Sequence, residues 1–138
     1  MLLNMFNGII FYQGQIKKLI KKKGGSILFL KSDLKLSKKD LGVSISCDGV
    51  CLTLVSLQNN LLEFYLSNET IVRSKFKNVK LNDNINLELP LKYGQKISGH
   101  ICQGHVDTTA KVKKISIVEK SYIYDFLIPG KFKKHLIE

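Results

Sequence analysis

Arginine is nearly missing from this 138-residue chain: Arg73 stands alone among 22 Lys and Arg residues, tryptophan is absent and proline occurs twice. Proteins that read nucleic acid favour arginine forks with exposed aromatics beside the basic cluster. Here the lysines are scattered, apart from Lys21 to Lys23, so the net charge of +11 describes a solvated surface rather than a polyanion site. The abundance of Lys, Ile and Asn is what drift toward AT-rich codons produces. No nucleic-acid partner is expected.

Other absences narrow the field further. The three cysteines, Cys47, Cys51 and Cys102, form no C-x-x-C pair and are too sparse for a secreted disulfide scaffold, which predicts a reducing, cytoplasmic setting. No apolar run approaches the roughly 18 residues of a membrane span, and Met1 to Phe6 lacks the basic start of a signal peptide, so no membrane partner is expected. Met1 and Met5 are equally suited as the translation start. Walker, G-x-G-x-x-G and G-x-S-x-G patterns are all lacking, which leaves nucleotide hydrolysis, hydride transfer and the familiar hydrolases unsupported.

The chain is instead rich in short β-prone runs, at 5–12, 15–20, 26–30, 43–47, 50–57, 61–66 and 85–89, punctuated by Gly14, Gly24-Gly25, Asp48-Gly49 and Asn59-Asn60. Residues 33–41 and 68–76 read as short helices between strands, with Asn68 as a cap and Glu69 favourable near the helix start. Its freed amides are alternatively available to a ligand. This is the grammar of a small closed β-barrel. After Tyr93-Gly94 the pattern restarts: residues 97–106 are rich in glycine and histidine, 110–118 and 121–128 are β-like, and 129–137 suits a short helix. Asn7-Gly8-Ile9-Ile10 and Gln103-Gly104-His105-Val106 each precede a strand, a turn and another strand, a weak internal repeat. The predicted division is 1–96 for a first barrel and 97–138 for an incomplete second copy, because the counterpart of Asp48 to Thr53 would fall beyond Glu138.

Asp48-Gly49 between two β runs is a strong hairpin signal, since both turn positions need positive φ. A two-residue loop pairs Cys47 with Val50, Ser46 with Cys51, Ile45 with Leu52 and Ser44 with Thr53, and cross-strand partners share a face. Val43, Ile45, Cys47, Val50, Leu52 and Leu54 make one apolar face. The other presents Ser44, Ser46, Cys51 and Thr53, small and uncharged, which suits either solvent or the wall of a polar pocket. His100 and His105 are five apart and point to opposite faces of a regular strand, a poor arrangement for a metal. His105 fits better as a proton donor or acceptor near a ligand, or as a histidine satisfied by backbone beside a turn.

Five blocks in order resemble the riboflavin synthase family: Met5-Phe6-Asn7-Gly8-Ile9-Ile10 its M-F-T-G-I-I opening, Asp48-Gly49-Val50-Cys51-Leu52-Thr53 its N-G-x-C-L-T hairpin, Ser67-Asn68-Glu69-Thr70-Ile71 its S-x-E-T-L segment, Ile85-Asn86-Leu87-Glu88 its V-N-L-E strand, and Gly99 to Asp107 its G-H-x-x-x-G-H-V-D junction. Asn7 stands where the family usually has threonine. The resemblance implies an all-β fold, a six-stranded antiparallel Greek-key barrel followed by an incomplete second copy, in a protein that at full length is a homotrimer. It implies dismutation of two 6,7-dimethyl-8-ribityllumazine molecules by four-carbon transfer to riboflavin and a pyrimidinedione, with no cofactor and no metal. A lumazine- or flavin-binding module without catalysis, or an inactive truncated synthase, are the alternatives. The implied first site comprises Gly8, Ile9 and Ile10, then Cys51, Leu52 and Thr53, then Tyr65, Leu66, Ser67, Asn68, Glu69 and Thr70, with Ser44 adjoining. Gly104, His105 and Val106 would begin the second site. Cys51 and His105 are the implied candidates for nucleophile and base, with Ser44 and Thr53 as hydrogen-bonding partners.

Overall fold

Residues of left-handed conformation set the strand pairing. Asp48 and Gly49 have φ of 48° and 84°, and Asn59 and Asn60 have φ of 47° and 62°, so both two-residue loops carry the twist that lets flanking strands continue antiparallel. A computed structural model describes residues 5–136, and within it these turns link β3 (Ser44–Cys47), β4 (Val50–Gln58) and β5 (Leu61–Ser67). The pairing Ser44 to Thr53, Ile45 to Leu52, Ser46 to Cys51 and Cys47 to Val50 is the register counted from the sequence. With β1 (Tyr12–Lys22), β2 (Gly25–Ser32) and β6 (Asn84–Glu88), the strands close into a barrel in the order β1-β2-β5-β4-β3-β6. β5, β4 and β3 are consecutive hairpin neighbours and β6 returns beside β3, which is Greek-key connectivity. Closure removes the exposed sheet edges that a six-stranded open sheet would carry.

Inward-facing residues alternate along each strand. Leu28, Leu30, Ile45, Leu54, Phe64 and Leu87 are all fully buried. Cys47 is buried among them, and removal from water, with the neighbouring Asp48 charge and Cys51 adding to it, pushes its thiol well above its ordinary value of 9.0.

Three local expectations change. Residues 5–11 do not form a barrel strand; Phe6 alone makes a bridge, to Cys102, and β1 begins at Tyr12. Residues 33–41 hold only a 3-10 turn, Lys38–Asp40, because buried Leu34 pins the chain and Ser37 and Asp40 form a reciprocal capping box. The short helix α1 (Asn68–Arg73) is capped by Ser67, not Asn68: Ser67 keeps extended backbone angles and its hydroxyl accepts from the Thr70 amide at 3.1 Å.

The chain divides into two compact units, the first running through Asp107 and the second starting at Thr108. Residues 97–107, placed after the predicted boundary at 96, pack with the barrel. The second unit contains the hairpin of β7 (Lys111–Val118) and β8 (Ser121–Leu127) and a 3-10 turn, Gly130–His135, in the stretch expected to be helical; the end of that stretch, at 137, lies outside the described residues. Tyr122, Tyr124 and Phe126 line one side of β8, and all three are exposed.

Candidate functional site

Two irregular segments meet over the polar face of the β3–β4 hairpin. The Phe6 amide donates to the Cys102 carbonyl at 2.7 Å and the Cys102 amide donates back at 2.9 Å. This reciprocal pair ties an N-terminal arm, residues 5–8, to a strap, residues 101–106. The strap then reaches β4, where the Cys51 amide donates to the Gly104 carbonyl at 2.9 Å. Only glycine fits there: Gly104 has φ of +75°, and a Cβ would lie 2.9 Å from both the Cβ and the amide nitrogen of Cys51.

The strap divides the surface into two hollows. The smaller, of about 200 Å³, is walled by Val50, Cys51, Glu69, Thr70, Arg73 and Ser74 and closed by Gly104 to Asp107. Arg73 lies 2.8 Å from Glu69 and 3.7 Å from Asp107, so the end of the strap faces α1 across an ion pair. Arg73 is about half exposed and its two partners more so, and their electrostatic contribution to stability is small. The larger hollow, of about 790 Å³, lies on the arm side. It is lined by Met5, Phe6, Gly8 and Ile10, by Ser46, Gly49 and Glu88, and by Ile101 to Val106. A volume of this order matches a drug-sized or cofactor-sized ligand.

The residues expected at the site fall into distinct groups. Cys51, Glu69 and Thr70 come together with Gly104, His105 and Val106 in the smaller hollow. Gly8 and Ile10 share the larger one with the same three strap residues. Gly104 to Val106, expected to open a second site, therefore sit against the first barrel. Ser44 and Thr53 pair on the same hairpin face as Cys51, with Ser44 buried and Thr53 exposed, and neither lines a hollow. Ile9 is half-buried beside Gly99. Leu52 and Leu66 face the core. The Tyr65 hydroxyl donates to the Gly24 carbonyl at 3.0 Å, and the Asn68 amide donates to the same carbonyl at 3.1 Å, which directs both toward the β1–β2 turn. Ser67 is occupied in capping α1.

Ser46, Arg73, Cys102 and Glu88 were not expected at the site. Ser46 was legible as part of the uncharged hairpin face, and Glu88 as the charged end of an otherwise barrel-forming strand. Nothing in the sequence pattern marked Arg73 or Cys102, which reach the hollows through tertiary packing.

A closed six-stranded Greek-key barrel with a strap-covered hollow at one hairpin is the architecture of a small ligand-binding β-barrel. The family model for the lumazine binding domain matches residues 7–90. The chain is 30% identical over 134 residues to the riboflavin synthase of Actinobacillus pleuropneumoniae, covering 97% of this chain and 62% of that protein. It is 33% identical over 135 residues to the riboflavin synthase of Photobacterium phosphoreum, again covering 97% of this chain and 62% of the relative. Among solved structures, LumP complexed with riboflavin superposes with a TM-score of 0.78 at 21% identity, covering 96% of this chain and 72% of LumP. LumP complexed with 6,7-dimethyl-8-(1'-D-ribityl) lumazine gives 0.75 at 22% identity, covering 91% and 69%. At such identity these structures establish the fold alone. The chain belongs to the lumazine binding domain family, and it spans about 62% of the length of these curated relatives.

Proposed function

We propose that the chain is the first barrel and the opening of the second barrel of a riboflavin synthase, acting in the cytoplasm. The reaction is dismutation of two 6,7-dimethyl-8-ribityllumazine molecules to riboflavin and 5-amino-6-ribitylamino-pyrimidinedione. The observation that carries the reading is the meeting of Cys51, Thr70 and His105 in one hollow beneath Gly104, since these come from three of the sequence blocks that resemble the family. In the reaction a proton leaves the acidified methyl of one lumazine, a nucleophile adds to the other, and a four-carbon unit is transferred. The protein's part is to hold two rings in a reactive orientation and to manage protons. Cys51 and His105 are the candidate nucleophile and base, Ser44 and Thr53 their hydrogen-bonding partners, and Gly8, Ile9, Ile10, Leu52 and residues 65–70 the remaining lumazine contacts. No cofactor enters the scheme.

The second unit supports an incomplete repeat. In β1–β2 the register shifts between Ile16 and Lys18, and five pairs then run to the turn at Lys22 and Gly25. In β7–β8 the register shifts between Val112 and Lys114, and again five pairs run to Val118 and Ser121. Each residue of the second hairpin stands 96 positions after its counterpart, as Gly104 does after Gly8, and both of those glycines have φ near +75°. Leu28 and Leu30, inside the first barrel, correspond to exposed Tyr124 and Phe126. On this reading, sequence following Glu138 supplies the strands that cover them, and the complete protein assembles as a homotrimer.

Incubating the purified chain with the lumazine alone tests the activity. Riboflavin formed without added metal or nucleotide supports the synthase. Tight lumazine binding without product favours the second reading, a non-catalytic lumazine- or flavin-binding module, which the LumP complexes favour as fold neighbours. Neither binding nor product fits an inactive truncated synthase.

A further inference from the structure

Glu88 closes β6 opposite Ser46 and is only 7% exposed, although it carries a carboxylate. A buried carboxylate is costly unless donors surround it. Its donors come from some 80 residues earlier in the chain. Oε1 accepts from the Asn7 amide at 2.6 Å and from the Gly8 amide at 3.1 Å, and Oε2 accepts from the Gly8 amide at 3.1 Å. Gly8, at φ of +78°, turns consecutive amides toward one anion, as a backbone nest does.

The arm has few other polar anchors. β1 pairs with β6 only from Tyr12 onward, so ladder bonds do not hold residues 5–8. Besides Glu88, the arm is fixed by the buried Phe6 side chain, by the Leu91 amide donating to the Met5 carbonyl at 2.8 Å and by the reciprocal bonds between Phe6 and Cys102. Hydrogen bonds joined by short stretches of chain therefore lead from Glu88 to Asn7 and Gly8, from adjoining Phe6 to Cys102, and from Gly104 further along the strap to Cys51. Bonds to an ionised acceptor are about twice as strong as neutral ones. Glu88 is thus the strongest polar anchor at the arm end of this path.

We infer that Glu88 is a positioning residue for the strap-covered hollow, acting through the arm to fix Gly104 and His105; its effect on ligand affinity rests on the lumazine-binding reading above. An apolar residue would fill the same space without accepting from either amide, whereas the carboxylate offers the Gly8 amide both of its oxygens. A glutamine keeps a neutral oxygen for the two amides but turns an NH₂ group toward the Gly8 amide in place of the second carboxylate oxygen.

Hydrogen exchange and lumazine titration of Glu88→Gln test the inference. Amides of Asn7, Gly8, Cys102 and Cys51 exchange about tenfold faster and lumazine affinity falls about tenfold, while the amides of β5 are unchanged. Glu88→Asp, which keeps the carboxylate, recovers part of the protection. Faster exchange confined to Asn7 and Gly8 overturns the inference. So does uniform acceleration across the barrel, the response expected of the core variant Leu87→Ala. If the unaltered chain binds no lumazine, the functional reading fails by itself, and exchange at Cys102 and Cys51 still decides the role of Glu88.

Discussion

The Cys51 amide donates to the Gly104 carbonyl across 2.9 Å, and the same glycine leaves no room for a side chain above Cys51. One hydrogen bond and one missing Cβ thus decide how closely the strap lies on the hairpin that carries the candidate nucleophile.

Gly104→Ala forces a Cβ into that contact and strains a left-handed residue, at a cost of about 1–3 kcal/mol borne locally. The strap is expected to lift while the barrel stays folded. Calorimetry should show little change in the barrel transition, and fluorescence titration a loss of lumazine binding. Unchanged affinity would remove the strap from the site.

The three thiols should react in a fixed order. Exposed Cys102 labels with iodoacetamide first, half-buried Cys51 more slowly, and buried Cys47 only on unfolding. Bound lumazine slows the labelling of both Cys51 and Cys102, which line the two hollows; mass spectrometry of the labelled peptides reads both. The sign of the pH dependence follows from Cys47. Its pKa is raised on folding, so its contribution to stability is complete below 9.0 and declines as pH rises through the higher folded value. Denaturant midpoints measured across the alkaline range check this.

Removing residues 108–138 should leave the barrel intact, because the unit through Asp107 contains all six strands of the closed sheet. The whole chain exposes Ile115, Ile117, Tyr122, Tyr124 and Phe126 on one hairpin. It is therefore expected to bind a hydrophobic dye strongly, and the shortened chain weakly. Equal dye binding by the two would place the accessible apolar surface elsewhere.

Local chemistry alone determined much of the barrel. Asp48-Gly49 and Asn59-Asn60 tolerate positive φ, so they marked the hairpins, and period-two alternation from a two-residue turn gave the pairing of Ser44, Ser46, Cys51 and Thr53. Those are interactions between near neighbours, which a sequence displays. The sequence was misleading where a residue's role depends on distant partners. Residues 5–11 have β-prone composition, yet among them only Phe6 forms a β-bridge, and that bridge is to Cys102. Residues 33–41 are polar enough for a helix, but buried Leu34 holds them to the barrel. The seating of Gly104 to Val106 over Cys51, and the turning of Asn7 and Gly8 toward buried Glu88, join segments roughly 50 and 80 residues apart. Only tertiary packing decides such contacts, because shape, desolvation and hydrogen-bond geometry choose among partners that no local pattern ranks.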